Sequence, residues 1–158
     1  MGHATDTRGG TGVTAILFDR PAVGAVDVTG MATSSRQIDS LDMIHPGSAV
    51  HALCLAGGSA FGLDAAGGVV RYLEEKGVGI DLVVSTVPVV PTAVIFDLSF
   101  MDASARPTAE MAYDACREAT AGPVAQGCVG AGTGATCGKL RGVLHATKSG
   151  LGSSLVTG

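Results

Sequence analysis

Runs of apolar residues separated by turn signals predict an alternation of strands and helices along this chain. Residues 12–18 and 22–28 each have the pattern of a strand. Because Asp19-Arg20-Pro21 separates them like a turn, we predict a hairpin. Residues 29–46 are polar and irregular, which indicates a surface loop with a short helical turn. Residues 49–56 are predicted to form a third strand.

The next segment has the periodicity of a helix. Over residues 59–76, Phe61, Ala65, Val69 and Leu73 recur every four residues and form one apolar stripe. Glycines inside a helix lower its stability, so their presence predicts close packing against another backbone. These glycines are Gly62, Gly67 and Gly68.

The second half of the chain is again predicted to contain strands followed by a helix. Residues 83–98 are rich in β-formers and are interrupted by Pro88 and Pro91, which marks an edge or irregular strand, with 94–97 the most strand-like part. Pro107 suits the first turn of a helix running to about Thr120. The pattern predicts an α/β layered fold and a single domain over residues 1–158.

Composition narrows the class of protein. The chain of 158 residues is 46% hydrophobic but only 4% aromatic, so its core is expected to consist of Val, Ala, Leu and Ile. Only 15% of residues are charged, which favours burial of one face against another subunit or further chain. A net charge of −4 and the lack of basic runs argue against nucleic-acid binding.

The apolar runs and the cysteines bear on cellular location and metal binding. No apolar run reaches the roughly 20 residues of a membrane-spanning helix, and no secretory signal is visible, so we expect no membrane partner. Cys54, Cys116, Cys128 and Cys137 lie far apart without a C-x-x-C pair. We therefore expect reduced thiols, a cytoplasmic location and no metal site.

Two glycine-rich segments are the main candidates for a binding site. Residues 53–64 pass from an apolar run through Gly57-Gly58-Ser59 into the predicted helix. Such a turn is expected to leave backbone N–H groups unpaired and directed at a ligand. The second segment, residues 129–139, does not match a phosphate-binding loop, because Thr133 replaces the first glycine and Leu140 follows Lys139.

Individual polar residues have alternative interpretations. Ser59 lies where a nucleophile elbow would have its serine, but Phe61 replaces the required glycine, so we favour a helix-capping role. A Ser59 esterase would have to use His145 or His51 as its base. Asp97 follows an apolar strand and either contacts a substrate amine or serves a structural role.

Five collinear segments resemble the L-aminopeptidase/D-esterase family, which includes β-peptidyl aminopeptidases and nylon-oligomer hydrolases and is distantly related to ornithine acetyltransferases. They span nearly the whole chain. The segments are GHATD (residues 2–6), GVT with ILFD (12–14 and 16–19), LAGGSAFGLD (55–64), VVPTAVIFDL (89–98) and VGAGTGATCGK (129–139).

The resemblance implies a four-layer αββα sandwich, incomplete in this chain, and a precursor that cleaves itself before a Ser or Thr. That residue then becomes an N-terminal nucleophile that hydrolyses a small peptide or amide. This chain would be the α-chain portion, partnered by a β-chain from the same precursor and assembled into a homo-oligomer. No cofactor or metal is implied.

The resemblance leaves the catalytic residue unassigned here, because the nucleophile is expected beyond Gly158. The chain would instead supply pocket walls through Gly57, Gly58, Ser59, Phe96 and Asp97. Some relatives carry Glu and Tyr near residues 94–96, whereas this chain has Val94 and Phe96. The alternatives are a truncated, catalytically silent remnant or assembly piece, and the Ser59 elbow-type esterase.

Overall fold

The fold is a mixed α/β arrangement built on a five-stranded sheet. The computed structural model describes residues 1–45, 49–154 and 156. The strands within these residues are β1 (Gly2–Asp6), β2 (Thr11–Val23), β3 (Ser35–Arg36), β4 (Ala49–Ala56), β5 (Ile80–Asp81), β6 (Thr86–Val87), β7 (Thr92–Val94), β8 (Thr136–Cys137) and β9 (Thr147–Lys148). The α-helices are α1 (Ala66–Glu75) and α2 (Ala109–Arg117), and 3₁₀ helices occupy Asp39–Leu41, Ser59–Ala65, Gly130–Gly132, Lys139–Arg141 and Val143–His145.

The main sheet has the strand order β1-β2-β4-β7-β3. Only β4 and β7 run parallel; the other neighbours are antiparallel. The strands β5 and β6 form a separate two-stranded hairpin, and β8 pairs with β9. The parallel pair matters for the site, because the carboxyl ends of β4 and β7 lie side by side at one edge of the sheet.

One face of the sheet packs on both α-helices. Ala52, Cys54 and Ala56 alternate along β4 and are fully buried in the same cluster as Val69 of α1 and Cys116 of α2. The core is therefore built from small aliphatic side chains, as the low aromatic content predicts. Small side chains permit the close approach of helix to sheet that a glycine-rich chain requires.

The opposite face of the sheet is less completely covered. Thr14 on this face is buried beneath the glycine run, where its hydroxyl accepts the Ala131 N–H at 3.1 Å. Ile16, paired with Leu53 across β2 and β4, remains half-buried, as does Leu55 opposite Thr14. An apolar surface is thus left partly open on the side away from the helices.

The predicted hairpin between residues 12–18 and 22–28 is wrong. Residues 11–23 form one continuous strand, β2, and Asp19-Arg20-Pro21 does not reverse its direction. Its pairing with β4 shifts register between Leu17 and Ala22. A bulge of this kind accommodates a proline without ending the strand.

The predicted helix over residues 59–76 is present, but its first part is a 3₁₀ helix and only Ala66–Glu75 is α-helical. The capping role of Ser59 is wrong, because the N-cap is Gly58 and no side chain caps this end. Gly77 follows the helix with φ of +66°, as expected for a residue just past a helix end.

Close packing explains two of the three helix glycines, because a Cβ on Gly62 would collide with the carbonyl oxygen of Gly57. A Cβ placed on Gly68 would collide with the carbonyl oxygen of Ala109 in α2, whereas one on Gly67 would meet nothing within 4 Å.

The predicted second helix is present as α2, with Thr108 as its N-cap accepting the Met111 N–H at 3.2 Å. It is shorter than predicted, because Pro107 precedes the N-cap and the helix ends at Arg117.

Residues 83–98 form less strand than predicted. Only Thr86–Val87 and Thr92–Val94 are strands, and the segment predicted as most strand-like, 94–97, leaves the sheet after Val94. In the expected loop over residues 29–46, Asp39–Leu41 forms the predicted helical turn, while β3 was not predicted and Pro46 lies outside the described residues. β1 was also missed as a strand.

Within the described residues, no helix has the length and apolar character needed to cross a membrane.

Candidate functional site

The Gly57-Gly58-Ser59 turn lies where β4 and β7 end side by side. Gly57 donates its N–H to Gly12 O at 2.9 Å, and Ser59 donates to Ile95 O at 3.0 Å. Gly58, at φ +78°, donates to Asp97 Oδ1 at 2.6 Å. For the N–H groups of Gly57, Gly58 and Ser59, the expectation that the turn directs them at a ligand is therefore wrong, because all three are paired within the chain.

Backbone N–H groups of the second glycine-rich segment are also paired within the chain. Gly130 donates its N–H to Thr5 Oγ1 at 2.8 Å, and Ala131 donates to Thr14 Oγ1. A Cβ on Gly12 would collide with Gly130 O, so this run is pressed against β2. Its glycines bring backbone close to backbone, which is a structural use of the residue.

The buried side chain of Asp97 packs against the Gly57-Gly58-Ser59 turn. It is only 3% exposed, and besides the Gly58 N–H it accepts the Thr11 hydroxyl at Oδ2, at 2.7 Å. A Cβ on Gly57 would collide with this carboxylate, and one on Gly134 would press on the Asp97 side chain from the other side. Asp97 therefore connects β2 to the turn through two short, charge-assisted hydrogen bonds, and the glycine run packs against its side chain at Gly134.

An open cleft lies in front of the turn and brings two of the predicted site residues together. Its volume is about 270 Å³, and it is lined by Ala32, Thr33, Ser34, Ser59, Val94 and Phe96. Ser59 adopts φ of +56°, which is unusual for a residue with a side chain. The Phe96 ring is 45% exposed. Gly57, Gly58 and Asp97 are buried behind these two residues and do not line the cleft.

A second cleft adjoins the first and shares Thr33 and Ser34 with it. Its volume is about 230 Å³, and its lining includes Val26, Val28, Ile38 and the carboxylate-bearing Asp27. The two clefts together form a groove along the exposed loop that precedes β3.

Lys139 is a candidate site residue that the sequence analysis missed. Its Nζ donates to Thr136 O at 2.7 Å and to Phe96 O at 3.4 Å, and lies 5.9 Å from the centre of the Phe96 ring. It therefore places a positive charge beside the cleft. In the sequence, Lys139 ends the glycine-rich segment 129–139, and nothing local indicates its proximity to Phe96, 43 residues away.

The histidines give no support to a Ser59 esterase. His51 is 2% exposed, and its Nδ1 accepts the Val89 N–H at 3.1 Å, which is a structural role. His145 lies in an exposed 3₁₀ turn. Among the described residues, no hydrogen bond joins Ser59 to either histidine. Nor do three or more His, Cys, Asp or Glu side chains cluster there in a way that could hold a metal ion.

Comparisons with known proteins agree with the resemblance drawn from the sequence. The chain is 49% identical over 138 residues to an uncharacterized aminopeptidase of Mycobacterium leprae, covering 83% of this chain and 38% of that protein. It is 47% identical over 147 residues to an uncharacterized aminopeptidase of Mycobacterium tuberculosis, covering 93% of this chain and 42% of that protein.

A 6-aminohexanoate-oligomer endohydrolase of Kocuria sp. is 32% identical over 140 residues, covering 89% of this chain and 37% of the relative. The chain thus spans about two fifths of the length of these curated relatives. The model of peptidase family S58 matches residues 1–155. The resemblance is confirmed, and the chain belongs to peptidase family S58.

Proposed function

We propose that this chain is the pocket-forming part of a peptide or amide hydrolase whose nucleophile is an N-terminal Ser or Thr created by self-cleavage. The polypeptide outside these 158 residues would supply that nucleophile. Support comes from family membership and from the names of the relatives, which are aminopeptidases and amide-oligomer hydrolases. No cofactor or metal forms part of the proposal.

One observation carries the proposal beyond family membership. The Ser59 side chain and the Phe96 ring meet in an open cleft, while the backbone behind them is fixed by Asp97. A rigid wall with an accessible hydroxyl and an aromatic face is suited to orienting a small substrate for attack. Lys139 would add a positive charge beside this wall, next to the Phe96 ring.

The same reasoning extends to the fold and its partners. We propose that a second sheet covers the half-buried face formed by Ile16, Leu53 and Leu55, completing a four-layer αββα sandwich. A β-chain from the same precursor would provide that layer. Assembly of such units into a homo-oligomer would be consistent with the charged fraction of only 15%.

The test is to express the full-length polypeptide that contains this chain and to measure its intact mass with its amide hydrolysis. We expect two chains from one precursor and turnover of small amides. Replacing the new N-terminal Ser or Thr with Ala should abolish turnover, whereas Ser59→Ala should leave cleavage intact. A single uncut polypeptide without turnover would contradict the proposal and indicate a silent remnant. Loss of turnover in Ser59→Ala with normal cleavage would instead require a direct role for Ser59.

A further inference from the structure

The chemistry of the cleft bears on which substrates it accepts. The described side chains of this chain that line it are uncharged: Ala32, Thr33, Ser34, Ser59, Val94 and Phe96. A substrate ammonium group bound against this wall would lose part of its hydration without meeting a carboxylate among these residues. Removing a charge from water without an opposing charge is costly.

Asp97 is the carboxylate nearest to Phe96 in sequence, but both of its oxygens already accept hydrogen bonds within the chain. Its two oxygens accept from Thr11 Oγ1 and from the Gly58 N–H, and the side chain is buried behind the turn. Turning it toward the cleft would break both hydrogen bonds and leave a buried N–H unpaired. Asp97 therefore cannot serve as the partner of a substrate amine in this fold.

The charges around the cleft also disfavour a substrate ammonium group. Lys139 Nζ is held beside Phe96 by two carbonyl oxygens, so a cation already stands at this side. Asp27, a carboxylate that lines the groove, belongs to the adjoining cleft, which shares Thr33 and Ser34 with the first. It is not among the described side chains that line the cleft of Phe96.

From this arrangement we propose that the cleft selects acyl groups without a free amine next to the scissile amide, that is, N-acylated or amine-free amides. The inference rests on the proposed function of the same site. It distinguishes this chain from a strict aminopeptidase, which needs the free amino group of its substrate.

The test compares leucine p-nitroanilide with its N-acetyl derivative at pH 7 on the full-length polypeptide that contains this chain. We expect kcat/KM to be at least about tenfold higher for the acetylated substrate, because a like charge at close range opposes the ammonium form. Equal values, or a preference for the free amine, would overturn the inference. The α-amino pKa is about 8, so the preference should narrow between pH 7 and pH 9 as the substrate loses its charge.

Two glutamate variants, one inside the cleft and one outside it, test whether charge in the cleft sets the preference. V94E places a carboxylate in the cleft and should shift the ratio at least about tenfold toward the free amine. V84E adds the same charge on a valine that is 91% exposed in the loop between β5 and β6, outside the cleft, and should leave the ratio unchanged. An identical shift in both variants would show that net charge, not the cleft, sets the preference.

Binding separates failure of this inference from failure of the proposed function. If neither anilide is hydrolysed, the proposed function fails, but the selectivity of the cleft is still decided by affinity. Calorimetry with leucinamide and N-acetylleucinamide should then give tighter binding of the acetylated amide. Tighter binding of leucinamide, or no binding of either, would overturn the inference.

Discussion

Gly57 occupies a position that no other residue can fill without rearrangement. A Cβ there would collide with the Asp97 carboxylate and the Thr11 hydroxyl. We expect Gly57→Ala to lower the free energy of unfolding by about 1–3 kcal/mol, the usual cost of overpacking. Gly30→Ala is the control, because a Cβ on Gly30 meets nothing within 4 Å. Urea denaturation of both variants provides the measurement, and equal stabilities would contradict the steric argument.

The side chains of Thr11 and Asp97 should be energetically coupled through their hydrogen bond. Thr11→Val removes the hydroxyl that reaches Asp97 Oδ2 at 2.7 Å, and Asp97→Asn removes the charge that strengthens this bond. Each change should cost about 1–3 kcal/mol, because a buried partner is left unsatisfied or more weakly bonded. In a double-mutant cycle, the combined loss should be smaller than the sum of the two. Strict additivity would show that the two residues act independently.

The buried thiol of Cys54 should make stability depend on alkaline pH. Burial raises the pKa of Cys54 from 9.0 to about 12, so the folded protein keeps its proton after the unfolded chain has lost it. The contribution of this thiol to the free energy of unfolding should therefore be constant below about pH 9 and fall above it, by up to about 1.4 kcal/mol per pH unit. Burial raises the pKa of Cys116 to about 12 as well, so this second thiol should add a similar decline. Cys54→Ala should show a shallower decline between pH 9 and pH 11 in urea titrations. An unchanged slope would assign the alkaline loss to other groups.

At the scale of elements, α1 and α2 meet through a glycine. A Cβ on Gly68 would collide with Ala109 O of α2, whereas the preceding Gly67 has open space around it. Gly68→Ala should destabilise the fold by about 1–3 kcal/mol, and Gly67→Ala should stabilise it by about 0.5–1 kcal/mol through helix propensity. Thermal unfolding of the two variants should shift in opposite directions. A stabilising Gly68→Ala would show that the helices can separate at no cost.

These elements also show how far local pattern reaches. β4 was predicted with its observed bounds, because its apolar run and the Gly57-Gly58 pair that ends it are both local signals. The hairpin prediction was wrong because β4 pairs with both halves of β2, a long-range effect that overrides the turn tendency of Asp19-Arg20-Pro21. β1 lacks a strong apolar alternation and becomes a strand through its pairing with β2.

In the candidate site, too, some features follow from local sequence and others depend on long-range contacts. Ser59 and Phe96 could be named from sequence and resemblance, since each lies two or three residues beyond the end of a strand of the parallel pair. The hydrogen bonds of Asp97 could not, because Thr11 and Gly58 are 86 and 39 residues away from it along the chain. Lys139 was missed for the same reason. Contacts between distant segments decide which N–H groups are free, and a local motif does not contain them.

At the scale of the whole molecule, the partly open face of the sheet raises the question of what covers it. Ile16 and Leu53 are paired across β2 and β4 and are half-buried on the side away from the helices. If a second sheet packs there in the full-length polypeptide, Leu53 is fully buried in that context. An aspartate at this position would then be an unpaired charge in a dry interface, which proteins tolerate poorly.

We therefore expect Leu53→Asp to destabilise the full-length polypeptide by more than about 3 kcal/mol, a cost in the range for loss of a buried apolar side chain. Val23→Asp is the matched control, because Val23 also belongs to the main sheet but is 90% exposed, and it should change stability by less than about 0.5 kcal/mol. Urea denaturation followed by circular dichroism would measure both. Similar small effects would mean that water, and no second layer, covers this face. A large cost confined to Leu53→Asp would place the missing layer of the sandwich directly over the pair of strands that also ends at the candidate site.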